Sequence, residues 1–230
     1  VPGQLLHHRR PAVASDAAGG FVVVWNSFDH DGNGYRSFAQ RFNGSGLPQG
    51  NEFPVSQEVA DTYSGDDKRP TVASAPNGNL VTAWTGWDSS STGVFSQRFN
   101  AVGTPQGSEF RVNSYTASYQ SRPSVAADAN GHFVVVWQSW EQDGNSTGVF
   151  GQRFNAAGTP QGSEFQVNSY TTGLQILPSV ALAPNGNFMV VWEYCGGYDG
   201  VFGQRFDAAG LPQGGEFQVN SYTSGFPGRP

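Results

Sequence analysis

The chain is built from four copies of one sequence unit, and this repeat limits its possible folds more than any other feature. Each copy begins with a Pro-x-Val-Ala segment, whose prolines are Pro11, Pro70, Pro123 and Pro178, spaced 59, 53 and 55 residues apart. Within each unit there follow a glycine-containing turn, an apolar run ending in Trp, a loop, Gln-Arg-Phe, a Pro-Gln-Gly turn and Glu-Phe. We therefore predict four short strands, A to D, in every unit.

These units predict an all-β fold, a β-propeller of four-stranded antiparallel blades. Strand B is apolar on both faces (Phe133–Trp137), which is typical of sheets packed between neighbouring sheets. Four blades would form a closed ring, half of an eight-bladed ring completed by a second chain, or an open part of a longer array. The predicted division is an N-terminal segment 1–9, blades at 10–68, 69–121, 122–176 and 177–228, and the start of a further repeat at 229–230.

Charge and hydropathy exclude some classes of partner. The net charge of −6, with Lys68 as the single lysine, argues against nucleic acid, which is bound by clustered basic side chains. The longest apolar runs are far shorter than the ~20 residues of a membrane-spanning helix, and no leader opens the chain, so we expect no membrane insertion. Cys195 is the only cysteine, so no internal disulfide is possible.

Insertions between the copies fall in two loops. The Pro-to-Trp spacing is 14 in all four units, whereas the spacing from that Trp to the Phe opening strand C is 13, 11, 13 and 10. The D–A connection also varies in length. In an antiparallel meander the B–C and D–A loops lie at the same end, and variable loops on a rigid scaffold are typical of a binding face.

Aromatic residues are concentrated in these loops. We predict a carbohydrate-binding surface made by Trp87, Trp140, Tyr115, Tyr170 and Tyr222. Aromatic rings stack on the C–H faces of sugars, while neighbouring Asn, Ser and Asp groups bind the hydroxyls. The alternative is that the tyrosines wedge adjacent blades together.

Two loops carry oxygen side chains at alternate positions, the pattern that wraps a calcium ion. The candidate ligands are Asp29, Asp31 and Asn33 in the first unit and Glu141, Asp143 and Asn145 in the third. The sequence allows either a calcium-ordered loop or a turn held by its own side-chain hydrogen bonds.

Charged residues recur at two further positions. Arg10, Arg69 and Arg122 precede strand A, where three guanidinium groups would suit a carboxylate or sulfate ligand, unless they only bond to nearby loop carbonyls. Cross-strand ion pairs are predicted on the C–D hairpin for Arg41/Glu52, Arg98/Glu109, Arg153/Glu164 and Arg205/Glu216.

The third unit, with Trp137-Gln-Ser, Gln142-Asp-Gly and Gly148-Val-Phe-Gly-Gln-Arg-Phe154, resembles a known type of repeat. Arrays of this kind occur in large secreted or cell-surface bacterial proteins, often beside hemolysin-type calcium-binding modules. The resemblance covers residues 10–230 and implies an exported propeller with an adhesive or carbohydrate-binding role. It assigns no catalytic residues, and the calcium-binding nonapeptides of the hemolysin-type modules are absent from this sequence.

The leading functional prediction is a non-enzymatic, exported, lectin-like or adhesive module that binds a glycan or cell-surface polymer. An enzyme is the less favoured class, because no catalytic set stands out. The first alternative is a glycoside-processing enzyme using the loop carboxylates Asp29, Asp31, Glu141 and Glu193. The second is a structural spacer within a longer array.

Overall fold

The computed structural model describes residues 11–28, 35–56, 69–88, 91–196 and 199–221. These residues form strands and turns without a helix, and so none of them forms a helix suited to crossing a membrane. The strands are β1 (Ala12–Ser15), β2 (Phe21–Phe28), β3 (Tyr35–Phe42), β4 (Pro48–Pro54), β5 (Thr71–Ser74), β6 (Leu80–Trp87), β7 (Thr92–Phe99), β8 (Phe110–Arg111), β9 (Gln120–Ala127), β10 (Phe133–Trp140), β11 (Thr147–Phe154), β12 (Phe165–Gln166), β13 (Leu174–Leu182), β14 (Phe188–Cys195), β15 (Gly200–Phe206) and β16 (Phe217–Gln218).

Each unit is an antiparallel meander in chain order, as the repeat predicts. In the third unit β9 pairs with β10, β10 with β11, and β11 with the two-residue β12. The third and fourth units also share one parallel pair, Thr147 with Leu174, which joins them into an eight-stranded sheet. The all-β fold is therefore confirmed, and the described strands form antiparallel meanders in chain order.

The A–B and C–D turns share one design. In the C–D turn of the third unit, Oδ1 of Asn155 accepts hydrogen bonds from the backbone N–H groups of Ala157 and Thr159. Gly158 has a φ of +80°, a conformation that glycine adopts without steric cost. Short polar side chains and glycine at set positions thus explain why these hairpins keep constant length.

The core lies between units rather than within them. Three buried clusters each combine the side of one unit facing the next with the opposing side of that next unit. The same ring contact recurs at each junction, with centroid distances of 5.3, 5.4 and 5.4 Å and an interplanar angle of 54° for Phe53–Phe99, Phe110–Phe154 and Phe165–Phe206. Burial of aromatic and β-branched side chains at these junctions is the main stabilising term for such a chain.

The units contact one another in sequence order. Strand β1 contacts β5, β5 and β6 contact β9, and β9 and β10 contact β13. No comparable contact joins β13–β16 to β1–β4 within the described strands. The described strands thus form consecutive antiparallel sheets packed in chain order, and among these strands the fourth and first units do not close into a ring.

The predicted ion pairs on the C–D hairpin are wrong. Arg153 donates from Nη1 to the carbonyl of Ala208 in the following unit at 2.6 Å, while Glu164 accepts hydrogen bonds from Ser114 in the preceding unit. Neighbouring residues on a strand point to opposite faces, and Phe165 lies opposite Gly151, so Glu164 and Arg153 lie on opposite faces. Arg153 and Glu164 therefore link the third unit to two different neighbours.

The same links recur along the chain. Arg98 donates to the carbonyl of Ala156 at 2.6 Å, and Arg41 to that of Gly78 at 3.1 Å. Glu216 accepts from the N–H and hydroxyl of Ser169 at 2.8 and 3.0 Å. We call these contacts the forward arginine and backward glutamate links.

Candidate functional site

Buried amides hold the D–A loops in place. Oδ1 of Asn168 accepts from the N–H of Val149 at 2.7 Å, and its Nδ2 donates to the carbonyl of Tyr170 at 2.9 Å and to Oε1 of Gln175 at 3.3 Å. Nε2 of Gln175 in turn donates to the carbonyl of Thr172. Asn113 and Gln120 make the same bonds one unit earlier. The loop following strand D is thereby fixed to strand C of its own unit.

The B–C and D–A loops meet, as the meander predicts. The backbone N–H of Trp140, the last residue of β10, donates to the carbonyl of Tyr119 in the D–A loop at 2.9 Å. Trp140 is 40% exposed, and the corresponding Trp87, at the end of β6, is 54% exposed. The structure also exposes Tyr119, which was not among the predicted sugar-binding residues, because its sequence position differs from that of the Asn-Ser-Tyr motif. We call this end of the sheets, where the B–C and D–A loops expose Trp87, Tyr119 and Trp140, the loop face.

The predicted tyrosines differ in their surroundings. Tyr170 makes an edge contact with Tyr194, with ring centroids 5.5 Å apart, yet half of Tyr170 is exposed. It therefore acts both as a wedge between units and as part of the loop face. Tyr115 is half-buried, and Tyr222 lies outside the described residues.

The loop that carries the third-unit calcium candidates contains hydrogen bonds of its own. Oδ1 of Asp143 accepts from the N–H of Asn145 at 3.1 Å, and the N–H of Gly144 donates to the carbonyl of Glu141 at 3.2 Å. Oδ2 of Asp143 is buried and packs where a side chain at Gly148 would otherwise lie. The candidates Asp29, Asp31 and Asn33 lie outside the described residues. In the part of the chain that is described, no cluster of three His, Cys, Asp or Glu side chains has a metal-binding arrangement.

The predicted anion-binding arginines precede strand A. Arg69 and Arg122 are half-buried, and each makes contacts within the protein. Arg122 has a φ of +55°, and its N–H donates to Oγ1 of Thr85 in the preceding unit at 3.3 Å. Leu177 takes the same backbone conformation in the fourth unit, so the position itself serves the junction between units. Arg10 lies outside the described residues.

Ionisable groups cluster at the end of β14 in the fourth unit. Burial raises the pKa of the Cys195 thiol, and the negative charges of Asp199 and Glu193 raise it further. Burial also raises the pKa of Tyr194, to which Tyr170 and the charge of Asp199 add. The Tyr194 hydroxyl donates to the carbonyl of Gly196 at 3.1 Å.

The charges of two carboxylates thus act on one thiol at the end of β14. Glu193 and Cys195 are two residues apart on β14, so they point to the same side of the sheet, with Cα atoms about 6.5–7 Å apart. Asp199 approaches from the other side of the B–C loop, just before β15. Pairs of carboxylates several ångströms apart perform the acid–base chemistry of glycosidic bond cleavage. The sequence places Glu193 among the loop carboxylates but does not pair it with Asp199.

Several solved structures have a similar fold. The chain matches a Dyadobacter fermentans protein of unknown function with a TM-score of 0.64 and 14% identity, over 90% of this chain and 68% of that one. It matches the endo-arabinase of Bacteroides thetaiotaomicron with a TM-score of 0.51 and 11% identity, over 93% and 81%. The GH43 endo-arabinanase of Bacillus licheniformis gives 0.51 and 13%, over 93% and 80%. No family model and no curated protein matches the sequence.

At these identities the likeness establishes a shared propeller-type fold. The two endo-arabinanases and a further solved structure of similar fold are glycoside hydrolases, and this finding contradicts the leading functional prediction. The non-enzymatic, lectin-like or adhesive module was the wrong choice, because repeats and exposed aromatic residues do not distinguish a sugar-binding surface from a sugar-cleaving one. The glycoside-processing alternative is the better supported of the two.

Proposed function

We propose that this chain is a glycoside-processing enzyme in which Glu193 and Asp199 supply the two reacting carboxylates. The observation that carries the proposal is that the charges of both carboxylates raise the pKa of the Cys195 thiol, at the end of β14 in the fourth unit. Structural neighbours that hydrolyse glycans support this choice of chemistry.

Cleavage of a glycosidic bond needs one carboxylic acid to protonate the leaving oxygen. A second carboxylate activates water or attacks the anomeric carbon, depending on whether the two groups are about 6.5–9.5 Å or about 5–5.5 Å apart. Glu193 and Asp199 have the required chemistry. Tyr194, between them in sequence, is buried and donates its hydroxyl proton to the carbonyl of Gly196, so it holds the end of the loop in place.

The exposed aromatic side chains suit a polymeric substrate. Trp87, Tyr119, Trp140 and Tyr170 lie on the same loop face, where their rings can stack on successive sugar residues. Arabinan and β-mannan are the first substrates to test, because proteins of similar fold include arabinanases and a member of a family that contains hydrolases of β-1,2 mannosidic linkages. A polymer of this kind is met outside the cell, in keeping with the predicted secreted or cell-surface location.

The experiment is to measure release of reducing ends from arabinan, β-mannan and a polysaccharide panel. Glu193→Gln introduces the residue found at the same position in the third unit, and Asp199→Thr introduces the threonine of the second and third units. Loss of an acid–base group should lower turnover by roughly 10²–10⁴-fold. Asp207→Asn is the matched control, because asparagine occupies that turn position in the other three units.

Two results would refute the proposal. One is the lack of turnover by the unaltered chain on every glycan, and the other is turnover that Glu193→Gln and Asp199→Thr leave unchanged. An equal loss in Asp207→Asn would indicate a general effect on folding instead.

Calcium is proposed as a structural ion for the third-unit loop, with Glu141, Asp143 and Asn145 as its ligands. Support comes from two buried oxygens in this loop, Oδ2 of Asp143 and Oε1 of Gln142, for which the described residues supply no hydrogen-bond donor. Calcium prefers six to eight oxygen ligands, including carboxylates and side-chain amides. Its role would be to stiffen the loop beside Trp140.

A further inference from the structure

Every junction between units uses the same apolar contact. A phenylalanine from strand D of one unit packs on a phenylalanine from strand C of the next, and a valine two residues later is buried beside it. In the third unit these residues are Phe165 and Val167, and Val167 is 5% exposed. The forward arginine and backward glutamate links add the polar part of each junction.

The fourth unit carries the same set of residues with no unit over them. Val219, which corresponds to Val167, is 50% exposed, and Phe217, which corresponds to Phe165, is 39% exposed. Phe217 has no ring partner among the described residues. Arg205, which corresponds to Arg153, is also exposed. We call this surface of Arg205, Phe217, Val219 and Ser221 the tail face.

The opposite end of the chain is open as well. Val13 in strand A of the first unit is 66% exposed, whereas the corresponding Val72 and Val125 are buried. The first unit thus presents the surface that each later unit places against its predecessor. The array has two complementary uncovered ends.

We propose that the tail face is a docking surface for one further unit of this same repeat. Such a unit would place a strand C phenylalanine on Phe217, as Phe206 lies on Phe165. Its C–D turn would offer a carbonyl to Arg205, as Ala208 does to Arg153, and its strand D glutamate would accept from Ser221, as Glu216 does from Ser169. Continuity with three junctions of the same geometry is the argument for this occupant.

The junctions also include the position of Glu193. Thr85 and Gln138, at that position in the second and third units, accept hydrogen bonds from the backbone N–H groups of Arg122 and Leu177 in the following unit. A docked unit would therefore bring a backbone N–H group to Glu193. The docking is tested by thermal stability, so its failure is distinguishable from a failure of the turnover assay.

The test begins with the chain itself. We expect a monomer by light scattering, in which Val219→Lys leaves the melting temperature unchanged within about 2 °C. Val167→Lys is the matched control and should lower it by roughly 10 °C or more, because it places a lysine in a covered junction. The second step appends a copy of residues 124–176 after Pro230, so that a fifth unit follows in phase.

In the extended chain we expect a melting temperature higher by about 5 °C or more, and a loss on Val219→Lys close to that of Val167→Lys. A second extension with residues 71–121 guards against failure of one particular copy to fold. The proposal is overturned if neither extended chain is stabilised. It is also overturned if the original chain is a dimer that Val219→Lys dissociates, or a monomer that Val219→Lys destabilises as strongly as Val167→Lys does. Those last results would assign the tail face to a second copy or to the first unit.

Discussion

The side-chain amide of Asn168 donates a hydrogen bond to Oε1 of Gln175, across the loop that leads from the third unit to the fourth. Both side chains are almost completely buried, and the same pair recurs as Asn113 and Gln120. Buried amides are costly unless satisfied, so this pair specifies one conformation for a loop that is otherwise free to vary. This pair therefore fixes the conformation of the D–A loop on the loop face.

Asn168→Ala should therefore destabilise the protein. It removes the acceptor for the N–H of Val149 and leaves Oε1 of Gln175 without this donor, so we expect a loss of about 2–3 kcal/mol in the free energy of unfolding. Urea denaturation measures it. Asn155→Ala, in an exposed turn with similar side-chain bonds, is the control and should cost about 1 kcal/mol or less. Equal losses would contradict the importance of burial.

The forward arginine links should contribute to stability only where a following unit is present. Arg153→Ala removes the bond to the carbonyl of Ala208, so we expect a loss of about 1 kcal/mol. Arg205→Ala, at the same position in the fourth unit, should cause almost none. Chemical denaturation of the two variants side by side tests this difference, and a larger loss for Arg205→Ala would refute it.

The pKa of the Cys195 thiol depends on the charges of the two proposed catalytic carboxylates, so its measurement tests their position in the absence of substrate. Its raised pKa means that less thiolate is present at a given pH, so alkylation by iodoacetamide should be slow at neutral pH. Removing a nearby negative charge with Asp199→Thr or Glu193→Gln lowers this pKa and shifts the pH–rate profile to lower pH. Asp207→Asn should leave the pH–rate profile of alkylation unchanged. If neither charge-removing variant shifts it, the carboxylates do not surround the thiol as described.

Stacking on Trp140 should be visible in substrate affinity. Loss of a ring contact worth about 0.5–1.5 kcal/mol predicts that Trp140→Ala raises KM by roughly 2- to 12-fold while kcat changes little. Trp140→Phe keeps a ring and should restore most of the affinity. Steady-state kinetics on the best glycan of the panel provide the measurement, and a fall in kcat alone would assign Trp140 a different role.

Calcium should stabilise the third-unit loop. We expect the melting temperature to rise by about 2–4 °C with calcium relative to chelator, corresponding to roughly 1 kcal/mol. Asp143→Asn should abolish this response, whereas Asp207→Asn should retain it. No response in the unaltered chain would identify the loop as a turn held only by its own hydrogen bonds.

Much of the fold was predictable because its determinants are local. Alternating apolar residues, Asn or Asp followed by glycine in the turns, and constant hairpin lengths identify four strands per unit from short segments alone. The same meander logic places the B–C and D–A loops together, and the bond between Trp140 and Tyr119 confirms it. These features can be predicted without knowing which units pack against one another.

The amino-acid sequence by itself thus determined the repeat, its strands, its turns and the end that carries the aromatic loops. The tertiary structure decided which neighbouring unit each side chain contacts. Arg153 and Glu164 look like partners across a hairpin, yet strand pleating sends them to different units. Likewise, the grouping of Asp199 with Glu193 and the difference between the buried Val167 and the exposed Val219 depend on how loops fold back and units stack. Contacts between residues distant in sequence are set by packing, which a local pattern does not encode.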